Sequence, residues 1–207
     1  MTLGPLQTNC YLVADTNTGD AIVVDPADDA PVILSTLNQN TWHLNRIVLT
    51  HGHFDHIGAA GRLREMTGAR VAVHSADVSM IGNPAMNLSI FAAEPPVSLS
   101  ADDILEEGSQ IRAGQLKFRV SHTPGHSPGS ICLIGDEFAM VGDLIFRGSV
   151  GRTDFPNASH SELMSSIRQK LYPLDDRLIL YPGHGPSTEL GFEKRTNPYL
   201  ESIESKT

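Results

Sequence analysis

The chain has few of the residues and runs that mark secreted, membrane or redox proteins. Cysteine occurs only twice in 207 residues, at Cys10 and Cys132, and never as a Cys-x-x-Cys pair. This excludes a disulfide framework and a thiolate zinc site, so two buried thiols in a reducing compartment are expected. No apolar run reaches the length of about 18 residues that a membrane helix needs, and the first residues lack a signal-peptide profile. We therefore expect a cytoplasmic protein with no membrane partner.

Basic side chains are also scarce. Lys and Arg number 15 against 24 Asp and Glu, which gives a formal net charge of −9 at pH 7. An acidic surface repels phosphate backbones and attracts neither nucleic acid nor anionic lipid. The charge therefore favours a small-molecule substrate over a nucleic-acid partner, and it leaves the oligomeric state open.

Hydrophobic periodicity predicts a mixed α/β chain whose two halves resemble each other. The first half is predicted to contain strands at 9–14, 21–24, 45–49 and 71–73, with helices over 30–40 and 57–67. The second half is predicted to contain strands at 116–120, 130–134, 138–142 and 178–180, a helix over 160–171 with a Ser159-x-x-Glu162 capping box, and a short helix over 197–203. Because no linker-like stretch separates the halves, we predict a single domain over residues 1–207.

Residues 74–100 are the least regular part of the predicted chain. Pro84, Pro95 and Pro96 disfavour helices and strands there. The apolar side chains of this segment either pack into the core or cover the mouth of a site, and packing is the favoured interpretation. They are Met80, Met86, Leu88, Ile90 and Phe91.

Three imidazoles and a carboxylate are concentrated directly after the apolar run at 47–49. The sequence there reads Thr-His-Gly-His-Phe-Asp-His from residue 50 to residue 56. In an extended segment, residues i, i+2 and i+4 project to one face, so His51, His53 and Asp55 can converge while His56 points elsewhere. This arrangement divides the ligands between two points and indicates two metal sites. The alternative, a solvated histidine-rich turn, is disfavoured because three of the nine histidines lie at one strand end.

The order His-x-His-x-Asp-His after a strand resembles the motif of the metallo-β-lactamase superfamily. This resemblance implies three further ligands, namely a His in a glycine-containing turn, an Asp after a strand and a final His. The chain has all three, as His126, Asp143 and His184. The glycines and prolines around both histidines favour turns that bring the backbone close to a metal, and the two oxygens of Asp143 suit it to bridge two cations. The resemblance also implies a four-layer αββα sandwich with the metals at one edge, between its two sheets.

The same resemblance implies how the ligands divide between two divalent metal ions. The first site consists of His51, His53 and His126. The second site consists of Asp55, His56 and His184, and Asp143 bridges the two ions. Nitrogen and oxygen ligands suit zinc, iron and manganese, among which zinc is favoured. The other four histidines have no place in the pattern, and His122 is the only rival ligand among His43, His74, His122 and His160.

Within the superfamily, the chain is most similar to the short bacterial glyoxalase II enzymes. The segments 142–156, 183–186 and 197–200 carry this resemblance. It implies hydrolysis of a thioester such as S-lactoylglutathione by a metal-bound hydroxide, with Asp55 orienting the nucleophile and Asp143 holding both metals. The residues after His184 are too few for the helical C-terminal domain of the longer glyoxalase II enzymes.

Two arginines beyond the bridging aspartate, Arg147 and Arg152, are candidates for binding a substrate carboxylate. The longer enzymes hold glutathione with a basic residue and a tyrosine. Arg152 matches the basic residue, but Asp154 stands at the position of the tyrosine. A structural salt bridge from Arg152 to Asp154 is an equally weighted alternative, so recognition of glutathione stays open.

Other activities compete with thioester hydrolysis. A mononuclear-iron persulfide dioxygenase shares the first motif, and His51, His126 and Asp143 can form the oxygen-activating triad of two histidines and one carboxylate. Hydrolysis of another activated acyl group, such as a lactone, needs the same metal chemistry, whereas seven intact ligands disfavour a non-catalytic metal-binding module. We predict the hydrolase, and two metal ions rather than one iron per chain would distinguish it from the dioxygenase.

Overall fold

Two β-sheets face each other in the computed structural model, which describes residues 1–92 and 95–200. The first half contains, in chain order, β1 (Thr2–Leu3), β2 (Thr8–Asn9), β3 (Tyr11–Ala14), β4 (Asp20–Val24), α1 (Ala30–Gln39), β5 (His43–Val48), α2 (Phe54–Ile57), α3 (Ala60–Thr67), β6 (Arg70–His74), α4 (Val78–Gly82) and β7 (Asp103–Leu105). The second half contains β8 (Gln110–Ala113), β9 (Leu116–His122), β10 (Ile131–Ile134), β11 (Phe138–Gly142), β12 (Ile145–Phe146), β13 (Ser149–Val150), α5 (His160–Ser166), β14 (Ile179–Pro182), β15 (Thr188–Glu189) and α6 (Leu190–Thr196). Short 3-10 helices span Ser75–Asp77 and Ser89–Phe91, and a π-helical turn at Ile167–Leu171 extends α5.

The strand directions bring many strand ends to one edge of the molecule. The first sheet has the order β3-β4-β5-β6-β7, in which β3 is antiparallel to β4 and the remaining pairs are parallel. The second sheet has the order β15-β14-β11-β10-β9-β8, in which only the pair of β11 and β14 is parallel. Parallel neighbours end on the same side, so the loops after β4, β5 and β6 lie together, as do those after β11 and β14.

Alternating side chains on the central strands build two separate cores. Ile22 and Val24 of β4 face the second sheet, whereas Val23 between them faces helices α1 and α3. The same alternation holds in β5, where Val48 points inward and Ile47 outward. Both faces of these strands are covered, which explains why their sequences are almost continuously apolar.

A third apolar cluster covers the outer face of the second sheet. Val141 and Leu180 of that sheet pack against Leu163 of α5, Ile167 of the π-helical turn and Leu190 of α6. The layers therefore follow the order helix, sheet, sheet, helix. This order confirms the predicted αββα sandwich.

The predicted helix over 57–67 is wrong at its start. The chain forms α2 and α3 instead, with a break at Gly58 and Ala59. The backbone N–H of Ala59 donates to the carbonyl of Pro26 at 2.9 Å, rather than to a carbonyl one turn earlier. Gly58 also packs so closely on the carbonyl of Ala27 that no Cβ would fit. A tertiary contact therefore interrupts a segment whose apolar spacing is continuous.

The predicted helix over 197–203 is also wrong in its described part. Residues 197–200 form a turn, while residues 201–203 lie outside the described residues. The last helix, α6, ends because the side chain of Asn197 bonds elsewhere: its amide donates to Ser149 O at 3.0 Å and to Glu193 Oε2 at 2.8 Å. Its Oδ1 accepts from the N–H of Tyr199 at 3.1 Å. The short elements that were not predicted from the sequence include β1, β7, β8, β12, β13, β15, α4, α6 and both 3-10 helices.

Packing, the favoured interpretation for the apolar side chains of the irregular segment after β6, holds for only part of them. Met80 is 3% exposed and packs, whereas Phe91 is 77% exposed. Cys10 and Cys132 are free and buried, as expected. In the ranges 1–92 and 95–200, no helix has the length and apolar character needed to cross a bilayer.

Candidate metal centre

The side chains of all seven predicted ligands meet at the edge where the strand ends gather. Each ligand follows a strand: β5 precedes His51, His53, Asp55 and His56, β9 precedes His126, β11 precedes Asp143, and β14 precedes His184. Three overlapping groups of these side chains each have their candidate ligand atoms within 4.8 Å of one another. Residues far apart in the chain therefore form one compact cluster.

The first site is a cluster of buried imidazoles. Nδ1 of His53 lies 2.9 Å from Nε2 of His126. The ring of His51 lies edge-on to both, with centroids 4.8 Å from His53 and 4.7 Å from His126. Two nitrogens on one tetrahedral zinc ion would be separated by about 3.3 Å. The spacing of these nitrogens thus suits three imidazoles that share a cation.

The second site combines a carboxylate with two imidazoles. Oδ2 of Asp55 lies 3.3 Å from Nε2 of His184 and 3.6 Å from Nε2 of His56. His56 is fully buried, whereas His184 is partly open to solvent. This set has the mixed nitrogen and oxygen character that zinc, iron and manganese accept.

Asp143 lies between the two sites. Its Oδ2 is 3.5 Å from Nε2 of His126 in the first site and 3.6 Å from Nε2 of His184 in the second. Its Oδ1 is 3.5 Å from Nε2 of His56. One carboxylate thus faces ligands of both sites, which is the position that a bridging ligand requires.

Several buried polar atoms in this cluster have no hydrogen-bond partner among the described residues. They are Nε2 of His51, Nε2 of His56 and Oδ1 of Asp143. Buried polar atoms are normally paired, because an unpaired one costs on the order of 1–3 kcal/mol. All three belong to predicted ligands, and a cation would satisfy them. The residues present therefore fit a metal ion.

Comparison with known proteins identifies the family. The family profile described as "Metallo-beta-lactamase superfamily" matches residues 3–184. The chain belongs to this superfamily. Its αββα sandwich is accordingly the metallo-β-lactamase fold.

Similar superfamily members cover nearly the whole chain. The hydroxyacylglutathione hydrolase GloC of Haemophilus influenzae is 36% identical over 201 residues, which are 95% of this chain and 94% of that protein. The crystal structure of the BLEG-1 B3 metallo-beta-lactamase aligns with a TM-score of 0.91 at 36% identity, covering 97% of each chain. The crystal structure of TTHA1623 in a di-iron-bound form aligns with a TM-score of 0.84 at 38% identity, covering 97% of this chain and 98% of that one. At the level these relatives share, the chain is a metallo-hydrolase of the superfamily.

Asp25, a residue that was not predicted from the sequence, is linked to ligands of both predicted sites. This buried carboxylate accepts hydrogen bonds from Nδ1 of His56 at 2.9 Å and from the N–H and hydroxyl of Thr50 at 2.7 and 2.6 Å. The hydroxyl of Thr50 in turn lies 3.1 Å from Nδ1 of His51. A hydrogen-bond partner at Nδ1 fixes the orientation of the ring and leaves its Nε2 available for a metal ion. Asp25 directly follows an apolar strand, just as Asp143 does. This shared position could have marked Asp25 as a candidate site residue in the sequence.

The N-terminal segment holds the ligands of the second site from the other side. The hydroxyl of Thr8 donates to Oδ2 of Asp55 at 3.0 Å. Asn9 donates to the carbonyls of Pro182 and Gly185, at 3.0 and 2.8 Å, on either side of His184. The contacts of Asn9 span 173 and 176 positions and that of Thr8 spans 47, so nothing local in the sequence identifies them.

Burial dominates the protonation of the first site. It lowers the pKa of His51 well below the ordinary value and lowers the pKa of His53 to about 3, because a charged ring would lose its hydration. Both rings are therefore neutral at pH 7, which is the form that binds a metal.

In the second site, the surroundings raise the pKa of a ligand histidine instead of lowering it. Burial opposes the charged form of His56, but the nearby carboxylates of Asp143 and Asp25 outweigh it and raise the pKa of His56 to about 10. Without a metal, a proton on His56 therefore balances part of the negative charge at neutral pH. A cation bound there must displace that proton.

A cavity of about 640 Å³ opens over the predicted ligands. Apolar side chains form most of its wall, namely Leu6, Phe54, Leu88, Phe146 and Phe155. His53, Asp55, His126, Asp143 and His184 lie at its base. The cavity thus gives a small molecule access to ligands of both predicted sites.

The two predicted substrate-binding arginines have different surroundings. Arg152 lines the cavity, but its guanidinium donates to both oxygens of Asp154 at 2.9 and 2.8 Å and lies 4.5 Å from the centre of the Phe155 ring. The alternative salt bridge is therefore formed. The exposed guanidinium of Arg147 lies 5.6 Å from the centre of the Phe192 ring instead. A ligand in the cavity can meet Arg152, but its anionic groups compete with Asp154.

The rival ligand His122 belongs to a different group of side chains. Its ring stacks on His74 at a centroid distance of 3.9 Å, and its Nε2 lies 2.8 Å from the carbonyl of Pro128. His43 and His160 are exposed. All four remaining histidines thus have surroundings other than the cluster of predicted ligands.

Proposed function

We propose that this chain is a binuclear metallohydrolase of the glyoxalase II type that cleaves thioesters, with S-lactoylglutathione or a related acyl-glutathione as substrate. The position of Asp143 between two complete triads of ligands carries the proposal. Each triad alone would serve a single metal, whereas a shared carboxylate suits a pair of ions about 3.5–4 Å apart. A pair of ions is an arrangement that many metallohydrolases use.

We propose that His51, His53 and His126 hold the first ion, that Asp55, His56 and His184 hold the second, and that Asp143 bridges them. A pair of bound divalent cations supplies Lewis acidity, which lowers the pKa of a shared water towards 7 and polarises the carbonyl of the substrate. Zinc is the proposed ion because zinc suits this ligand set, and iron and manganese suit it as well. The similar protein TTHA1623 has a di-iron-bound form, which supports two ions per chain here and makes iron the main alternative to zinc.

The proposed work of the chain's own groups follows from their placement. Asp55 holds its carboxylate at the base of the cavity, fixed by the hydroxyl of Thr8, where it can orient the attacking water. Leu88, Phe146 and Phe155 exclude bulk water around the scissile bond. A low-dielectric wall strengthens every electrostatic interaction at the reacting carbonyl.

The thioester class is supported by a relative rather than by a side chain. GloC, a hydroxyacylglutathione hydrolase, resembles this chain over 95% of its length. Arg152 is the proposed contact for a substrate carboxylate because it lines the cavity. Arg147 is a weaker candidate because its guanidinium lies against Phe192.

A thioester panel combined with metal analysis tests the proposal. The purified chain, loaded separately with zinc, iron or manganese, is assayed on S-lactoylglutathione, on an uncharged thioester and on a lactone. We expect about two ions per chain and release of free thiol from S-lactoylglutathione. Preference for the lactone would assign another acyl substrate to the same centre. One iron per chain together with oxygen uptake on glutathione persulfide would replace the hydrolase with the dioxygenase.

A further inference from the structure

Asp77 is a buried carboxylate behind the first site that contacts no predicted ligand side chain. It ends the 3-10 helix after β6 and is 0% exposed. Oδ2 accepts from the N–H of Gly52 at 2.9 Å and from the hydroxyl of Ser127 at 2.6 Å. Oδ1 accepts from the N–H of Gly129 at 2.7 Å. These three bonds offset part of the cost of burying the charge, and burial still raises the pKa of the Asp77 carboxyl above its usual value.

The partners of Asp77 lie next to ligands of the first site on both sides. Gly52 stands between His51 and His53, and Ser127 directly follows His126. The two loops are otherwise far apart in the chain, and one carboxylate bonds to both. The fit on the second loop is close, because a Cβ on Gly129 would lie 2.6 Å from Cγ of Asp77.

We propose that Asp77 is a positioning residue for the first metal ion, which fixes the spacing between the loop of His51 and His53 and the loop of His126. This inference rests on the proposed metal assignment. A metal binds more tightly when its ligands are already held in place, because any conformational freedom that the ligand loops lose on binding reduces the affinity. Asp25 and Thr8 each bond directly to a ligand side chain of the second site. Asp77 instead bonds to Gly52 and Ser127, which neighbour the ligands of the first site in the chain.

The geometry requires a carboxylate rather than an amide. In Asp77→Asn the amide group has one acceptor oxygen. If this oxygen takes the place of Oδ2, the NH2 group meets the N–H of Gly129; if it takes the place of Oδ1, the NH2 group meets the N–H of Gly52. Either way two donors face each other in a buried position, and one loop must move.

Asp15 provides a matched control at the other end of the sheet. It is 6% exposed and also joins two distant loops, since it accepts from the N–H of Gln115 at 2.8 Å and of Asn17 at 2.9 Å. It precedes β4, whose far end leads to Asp25 and the metal centre. Asp15→Asn therefore perturbs a comparable buried carboxylate without touching a ligand loop.

The test uses the full chain and two measurements. Competition with a chromogenic chelator gives the stepwise affinities for Zn²⁺, and denaturant unfolding gives the stability of the metal-free protein. We expect Asp77→Asn to weaken one ion by about 10-fold or more, on the scale of outer-partner substitutions. The same loss should persist in a His184→Ala background, in which only the first site is complete. Asp15→Asn should lower the stability of the metal-free protein and leave both affinities unchanged.

Equal Zn²⁺ affinities in Asp77→Asn and Asp15→Asn would overturn the inference and leave Asp77 with a purely structural role. If Asp77→Asn does not fold, Ser127→Ala replaces it, since it removes one of the three bonds and should weaken the same ion to a smaller extent. Failure of the unmodified chain to bind two ions would instead refute the proposed metal assignment. The two failures are therefore distinguishable.

Discussion

Replacing Asp25 should weaken the second metal site, although Asp25 is not itself a predicted ligand. Its carboxylate is 1% exposed and accepts three hydrogen bonds, one from His56 and two from Thr50. Asp25→Ala leaves the ring N–H of His56 and the backbone N–H of Thr50 buried without an acceptor. It also removes a negative charge that holds the imidazole of His56 in place for a cation.

The magnitude follows from the number of bonds lost. A hydrogen bond to a charged group contributes about 1.5–3 kcal/mol, so the two of the three bonds whose buried donors are left without an acceptor give roughly 3–6 kcal/mol of destabilisation. This is a large share of a total stability of about 5–15 kcal/mol. Asp25→Asn keeps one acceptor and is the more tractable variant. Loss of the orienting partner should weaken the second ion about 10- to 100-fold.

Urea unfolding of the metal-free chain and chelator competition for the second ion measure the two effects separately. Asp102→Asn is the control, because Asp102 accepts from the N–H of Val71 at 2.9 Å near the start of β6, away from the cluster. Asp102→Asn should leave both metal affinities at the unmodified level. Unchanged affinity for the second ion in Asp25→Asn would refute the orienting role of Asp25.

Three further predictions address the bridge, the proton balance and the substrate. Asp143→Ala should lose at least the second ion and cut turnover about 100-fold or more, as expected for the loss of an electrostatic stabiliser; turnover at the unmodified level would contradict the bridge. Because the pKa of His56 is raised to about 10, that ring is protonated in the metal-free chain at pH 7. Binding of the second ion should therefore release a proton, and the affinity for this ion should rise about tenfold per pH unit above neutrality. Calorimetry in buffers of different ionisation enthalpy measures this release, and its absence for the second ion would contradict the assignment. Arg152→Ala should raise KM for S-lactoylglutathione with little change in kcat, whereas Arg147→Ala should leave both unchanged; equal effects of the two variants would remove the distinction between these arginines.

Four of the seven predicted ligands could be located because they lie within six residues after an apolar strand, and the resemblance to the superfamily motif then implied His126, Asp143 and His184. Short motifs at strand ends can be recognised even where the neighbouring helices or strands are predicted wrongly. The break between α2 and α3 is such an error, yet it displaces neither Asp55 nor His56 from the cluster. The apolar strands could be recognised individually and predicted a mixed α/β chain, whereas the four-layer order was implied by the resemblance to the superfamily.

The supporting residues could not be predicted because their roles depend on tertiary contacts. Thr8, Asp25 and Asp77 bond to groups that lie at least 25 positions away in the chain. Their residue types are ordinary for turns and strand ends, so local sequence gives each a plausible role without a metal. The salt bridge of Arg152 with Asp154 was one of two open interpretations, and only the side-chain geometry decided that it forms.

The number of divalent ions bound per chain tests the central claim most directly. Metal analysis of the purified protein, after loading and removal of free ions, should give about two ions in the unmodified chain and one in His184→Ala, because Asp143 and the first site remain. A single ion in the unmodified chain, with the same content in His184→Ala, would contradict the account of two sites that share Asp143.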